Sequence, residues 1–299
     1  MDKVIIAPAF FYKFEQLKPF VKSHLEANVS GKILFLIEKE KADFTEAAKQ
    51  YGNFDVYVTQ GMEDFVKSRS QKIMAYPFFR LWSLLPESYV KEKNRLHPWG
   101  YRFLHIALKR YLIVLELFQS VLKDTQYVML TDTRDVIFQS DPFAKIQQGL
   151  YCGLESSKIF YDHYNRIWIE KLYDNDPKKE HLLQQVASCS GVTIGDRASV
   201  KQYLEKMSEE IIRHFPRLYL KSGLDQGIHN YIIYEKNQGI DIRFCDNGNS
   251  LIGTLGASLL KEFIVEAGKV FTREGELVSV VHQYHPHPKL RQSIEEKYA

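Results

Sequence analysis

The sequence predicts an α/β protein with a mostly parallel sheet flanked by helices. In the first half, short apolar runs alternate with helical patterns, the signature of parallel strands joined by helical crossovers. No internal repeat, low-complexity tract or Pro/Gly/Ser-rich linker divides the chain. With 299 residues, of which 45% are hydrophobic, the chain can bury one large core, so 1–299 reads as a single domain.

Residues 4–9 (Val-Ile-Ile-Ala-Pro-Ala) read as a buried strand, followed by a helical pattern over 11–24. A second strand over 32–37, a helix over 44–51 and a third strand over 54–59 continue the alternation. Residues 74–90 and 100–123 are richer in helix. In the second stretch Leu104, Leu108, Tyr111, Leu115, Phe118 and Leu122 recur at three- and four-residue steps. Further apolar residues on its other faces predict a largely buried helix. A fourth strand follows at 127–130, then an acidic loop. Beyond it, 149–154 and 191–195 read as strands, and 199–214 and 225–235 as helices. The stretch 157–186 is polar, aromatic and irregular, and is expected to form a loop excursion. Near the end, 269–272 and 277–283 flank a turn at Glu274-Gly275, predicting a small C-terminal β-hairpin extension.

Charge and composition exclude several classes. Lys and Arg number 40 against 37 Asp and Glu, a net charge of +3, which does not suit a dedicated nucleic-acid binder with its concentrated basic face. Cys152, Cys189 and Cys245 are far apart and form no CxxC pair, so they read as buried small hydrophobes in a reducing compartment. The start of the chain enters a strand at once, without signal-peptide anatomy. The greasiest stretch, 111–118, is interrupted by Glu116 and falls far short of the ~20 apolar residues that span a bilayer. A cytoplasmic location is the expectation, with any membrane contact peripheral.

The segment from Tyr127 to Phe143 is the most informative. Asp132 and Asp135 sit where a buried strand surfaces at its carboxyl end, the edge at which open α/β sheets bind ligands. Three-residue spacing in a turn can bring both carboxylates to one side. Such hard oxygen ligands suit Mn²⁺ or Mg²⁺ bridging a diphosphate. An Asp-rich turn is the plainer alternative, and Asp141-Pro142 fits it as N-cap and first helical residue. Arg134 pairs with one of the acids or contacts phosphate.

Strand, acidic loop and the following Val-Ile-Phe-Gln-Ser-Asp-Pro resemble the DxD region of GT-A glycosyltransferases, Rossmann-like enzymes with a mixed, mostly parallel sheet. The helix containing Lys109-Arg110-Tyr111-Leu112 is similar to the Arg-bearing helix preceding that region in the glycogenin-like and lipopolysaccharide galactosyltransferase families. The spacing departs from the family: Asp132-x-x-Asp135 replaces Asp-x-Asp, and Asp135 aligns with the second, metal-binding acid. Ser190-Gly191-Val192-Thr193-Ile194-Gly195 resembles the family's small-residue strand, where close backbone approach leaves room for the sugar. Gly223-Leu224-Asp225-Gln226-Gly227-Ile228-His229-Asn230 looks like its Asp-Gln-x-x-x-Asn segment. Asp225 also suits a helix N-terminus through the macrodipole, while His229 and Asn230 can serve the local backbone.

What the resemblance implies is transfer of a sugar from a nucleoside diphosphate, UDP above all, to a glycan or other hydroxyl acceptor. Residues 1–125 would be the nucleotide-binding half, with Ala7 bordering the base. Residues 126–299 would carry metal, donor sugar and acceptor. Asp132, Asp135 and His282 would hold the metal, with His285 as fallback. Lys289 and Arg110 would add positive charge at the diphosphate, Gly191 would border the sugar, and Asp225 and Gln226 would be catalytic. The galactosyltransferase group implies retention, whereas an inverting enzyme would use Asp225 or another carboxylate as general base. Competing readings are a haloacid-dehalogenase-type phosphatase, whose second acid position is Arg134 here, and a nucleotidyltransferase, whose N-terminal Gly-rich loop is missing. A catalytically degenerate binder of nucleotide sugar or glycan is the non-enzymatic alternative.

Overall fold

A computed structural model describes residues 2–59, 104–218, 223–256 and 260–299. The predicted helix over 74–90 lies outside the described residues. In chain order the first strands are β1 (Lys3–Pro8), β2 (Lys32–Ile37), β3 (Phe54–Val58) and β4 (Tyr127–Thr131). They are followed by β5 (Val136–Phe138), β6 (Leu150–Lys158), β7 (Val186–Asp196) and β8 (Ile242–Cys245). Seven of these form one sheet in the order β3-β2-β1-β4-β7-β6-β8. Every neighbouring pair is parallel except those that β7 makes with β4 and β6, so β7 alone runs against the rest. The protein is therefore a mixed α/β fold with a mostly parallel central sheet, compatible with a Rossmann-like arrangement.

Helices cover both faces, and strand alternation assigns residues to each. Val4, Ile6, Leu34, Leu36, Val128 and Leu130 face one core, shared with α3 (Ile106–Leu117), α5 (Arg197–Arg213) and α6 (Leu224–Glu235). Ile5, Ala7, Ile33, Phe35 and Met129 face the other, against α1 (Lys18–Glu26) and α2 (Ala42–Tyr51). The helical pattern at 11–24 divides into a 3-10 turn, Phe14–Leu17, and α1, which carries Pro19 in its first turn. Among the described residues no helix is long and apolar enough to cross a membrane.

Two expectations are corrected. Residues 157–186 are not an irregular excursion: α4 (His163–Tyr173) and a short helix, Lys179–Leu183, lie within them. Asp162 caps α4 by accepting the Asn165 N–H, and Ile169, Leu172 and Tyr173 supply the buried stripe. The C-terminal hairpin is also rearranged. After β9 (Ile252–Thr254), β10 (Ile264–Glu266) pairs with β11 (Lys269–Phe271) as a two-stranded ribbon. The turn at Glu274-Gly275 forms, with Thr272 N–H donating to Glu276 and Val278 N–H to Val270. However, β12 (Val280–His282) leaves it for a separate sheet ordered β5-β12-β9. The chain ends in α7 (Pro288–Tyr298), which packs against α1.

Candidate metal centre

Two pairings assemble the site. At its carboxyl end β4 pairs Thr131 with Val192 of β7, and Asp132 N–H donates to the Gly191 carbonyl at 2.7 Å. β12 pairs His282 with Val136, the first residue of β5, and Gln283 N–H donates to the Asp135 carbonyl at 2.8 Å. The acidic loop thus bridges two sheets, and the register of β12 sets His282 beside it. One ligand atom each from Asp132, Asp135 and His282 lie within 4.8 Å of one another. His285 is outside this group.

The chemistry of the three groups fits a divalent cation. His282 is fully buried, yet neither ring nitrogen has a hydrogen-bond partner among the described residues. Its Nε2 stands 3.6 Å from Asp132 Oδ2, too far for a hydrogen bond. A buried polar atom left without a partner costs about 1–3 kcal/mol. Coordination through one nitrogen would remove that cost there, and the two carboxylates complete a mixed N/O donor set. Burial alone would lower the His282 imidazole, but neighbouring groups hold it well above its ordinary value. Cys189, Asp132 and Asp135 are the neighbours that raise it, and Cys189 is itself pushed up by burial. Burial would raise Asp132, but Arg110 and His282 hold it well below the usual carboxylate range.

Gly191 is required by this packing. A methyl group there would lie 2.6 Å from His282 Nε2 and 2.7 Å from Asp132 Oδ2. The room left by the small-residue strand is thus occupied by the His282 and Asp132 side chains.

Arg110, on α3, connects the metal group to the second motif. Nη1 is paired with Asp132 Oδ1, and Nη2 lies 3.2 Å from Asp225 Oδ2 and 2.9 Å from Tyr111 Oη. Asp225 and Gln226 occupy the first turn of α6, behind Gly223, whose φ of +81° suits a residue without Cβ. Both amide hydrogens of Gln226 are engaged, by Glu155 at 3.1 Å and Asn165 at 2.9 Å, so only its carbonyl oxygen is left to turn elsewhere. That oxygen accepts from Cys189 Sγ at 3.4 Å, and Gln283 reaches the same sulfur. Burial, then the Asp162 charge, push the Glu155 carboxyl up.

Arg110, Asp132, Asp135, Gly191, Asp225 and His282 therefore converge, with Gln226 linked through Cys189. Two expected residues stand apart. Ala7 is buried in the core shared with α1 and α2, while the adjacent cleft is lined by Ile6, Pro8, Arg110, Tyr111, Leu130 and Ser190, among others. Lys289 is exposed in the first turn of α7, and no ion pair or hydrogen bond among the described residues ties it to the acids. His229 and Asn230 are structural. His229 sits between Tyr203 and Ser188 with its pKa lowered to about 3 by burial, and Asn230 bonds the Ser188 backbone in both directions. All three cysteines are buried and free. The sequence does not single out Glu155 or Asn165; its one signal is a lone carboxylate inside the otherwise uncharged strand run at 150–157.

The chain matches no protein-family model and no curated protein.

Proposed function

We propose that this chain is a metal-dependent glycosyltransferase of the GT-A type, moving a sugar from a nucleoside diphosphate, UDP first among candidates, to a hydroxyl acceptor. The observation that carries this reading is His282, wholly buried and without hydrogen-bond partners among the described residues, facing two carboxylates at the carboxyl end of a strand in a mostly parallel sheet. Asp132, Asp135 and His282 would hold Mn²⁺ or Mg²⁺, which when bound supplies positive charge to the departing diphosphate. Arg110 keeps a fixed guanidinium at the same place, preorganised by its two acids and Tyr111. Asp225 is held by that guanidinium and Gln226 by Glu155 and Asn165, so both are set to orient the donor sugar. Lys289 remains the candidate for a phosphate contact made by an exposed side chain.

A second reading, a nucleotide-sugar binder without turnover, is favoured by the Asp132-x-x-Asp135 spacing and by the guanidinium that occupies one Asp132 oxygen. Incubation with a panel of nucleotide sugars and Mn²⁺, with acceptors supplied, separates them. Metal-dependent UDP release, abolished in Asp135→Asn, is the expected result. Binding without release under all conditions would establish the second reading, and no binding would overturn both.

A further inference from the structure

We propose that the aromatic cluster at the start of α4, joined through Trp168 to the turn before Asp225 and Gln226, is a carbohydrate subsite, a platform on which a pyranose ring of the acceptor stacks; the word acceptor rests on the function proposed above. Phe160, Tyr161 and Tyr164 are 42%, 76% and 66% exposed, three large aromatic side chains within five residues. Other exposed large apolar side chains among the described residues are scattered singly, apart from Ile264 and Val265. Clustered exposed apolar surface marks an interaction site where scattered residues do not. Tyr164 stacks on Trp168 one helical turn later, with centroids 6.1 Å apart and planes 30° from parallel. Phe160 and Tyr161 meet edge to face, and the Arg166 guanidinium lies 5.8 Å over Phe160.

The platform is joined to the proposed catalytic pair. The Trp168 indole lies against Gly223, where a methyl group would come within 2.7 Å of Cε2, and its Cβ lies against Gly227. These glycines flank Asp225 and Gln226. Asn165, next to Tyr164, accepts from Gln226 Nε2 at 2.9 Å. A ring stacked here would lie beside the residues proposed to hold the donor sugar.

The chemistry favours a sugar over a lipid surface. The aliphatic side chains Ile159 and Ile169 are buried and Ile167 is half-buried, so the most exposed apolar groups are rings, two of them with hydroxyls. Aromatic faces carry negative charge density, which attracts the polarised C–H bonds on one face of a pyranose. Tyr hydroxyls, His163 and Arg166 surround the rings with hydrogen-bonding groups suited to sugar hydroxyls.

The test needs neither metal nor nucleotide, so it is independent of the proposed reaction. The full chain is titrated with maltotriose, cellotriose, laminaritriose and chitotriose while the Trp168 indole N–H is followed by NMR, its signal assigned with Trp168→Phe. At least one trisaccharide is expected to shift that signal saturably. The double variant Tyr161→Ala/Tyr164→Ala, which removes exposed rings, should weaken that binding at least about fivefold with an unchanged thermal midpoint. No shift with any of the four, or equal affinity in the double variant, overturns the proposal. So does a variant whose only loss is binding to phosphatidylcholine–phosphatidylglycerol vesicles, which would make the platform a membrane contact. Sugar binding without UDP release would leave the subsite standing and remove the transferase.

Discussion

Replacing Gly191 by alanine tests the packing of the proposed metal centre without touching a proposed ligand. The added methyl would stand 2.6 Å from His282 Nε2 and 2.7 Å from Asp132 Oδ2, closer than a real Cβ tolerates. Neither neighbour can swing aside freely. The His282 ring is fully buried, and Asp132 is tied to Arg110 and to the Gly191 carbonyl. Overpacking of this kind costs about 1–3 kcal/mol, and each kcal/mol lowers the thermal midpoint by about 2–4 °C in a domain of this size class. The larger effect should be on the metal. Disturbing groups that merely orient ligands costs about 10–100-fold in affinity, and here the ligands themselves must move. Calorimetric titration with Mn²⁺ should show at least that loss. Gly52→Ala is the control: it sits at φ +70° with nothing near its Cβ, so it should lower stability and leave Mn²⁺ affinity alone. Equal Mn²⁺ affinity in Gly191→Ala and wild type would refute the reasoning.

Two further outcomes follow from buried charge. In Arg110→Met the acids Asp132 and Asp225 lose a guanidinium whose side chain is 14% exposed, and breaking such a pair costs about 3–5 kcal/mol. Saturating Mn²⁺ should restore part of it, so thermal melts with and without Mn²⁺ should differ more in the variant than in wild type; an equal difference would separate Arg110 from the centre. Glu210 is 1% exposed and meets Tyr173, His214, Lys236 and Arg213. Burial would raise its carboxyl, but His214, Lys236 and Arg213 lower it to about 2. Because the folded value is depressed, the stabilisation is complete above about pH 4.5 and is lost as pH falls toward 2, about 3 kcal/mol in all. Glu210→Gln should be less stable than wild type at pH 7 and should flatten the acid limb of a denaturant-midpoint profile; an unchanged limb would contradict this.

Legibility followed the range of the interactions involved. β1, β2 and β4 are buried on both faces, and their unbroken apolar runs mark them without knowledge of their partners. The sequence marks β7 only at 191–195, because Ser188, Cys189 and Ser190 are small and weakly apolar or polar, and their burial depends on α6, through Asn230, His229 and Gln226. The β5-β12-β9 sheet joins residues far apart in sequence, so a local turn signal at Glu274-Gly275 outweighed it. In α4 the polar and aromatic residues at 160–168 masked a helix whose apolar stripe is short. At the site, the acids and His282 were legible because they leave strands at polar turns. Glu155 and Asn165 were not, since their partner is an amide on a distant helix. The phosphate role of Lys289 rests on the family resemblance alone, and α7 leaves that side chain exposed.

Pulsed electron paramagnetic resonance of Mn²⁺ bound together with UDP addresses the metal centre most directly. The wild-type chain should show ¹⁴N modulation from one imidazole and ³¹P coupling from the diphosphate on the same ion. His282→Ala should lose the nitrogen signal, and Asp135→Asn should lose most of the bound ion. Phosphorus coupling without nitrogen in the wild type, or nitrogen coupling that survives His282→Ala, would contradict a cation held by Asp132, Asp135 and His282.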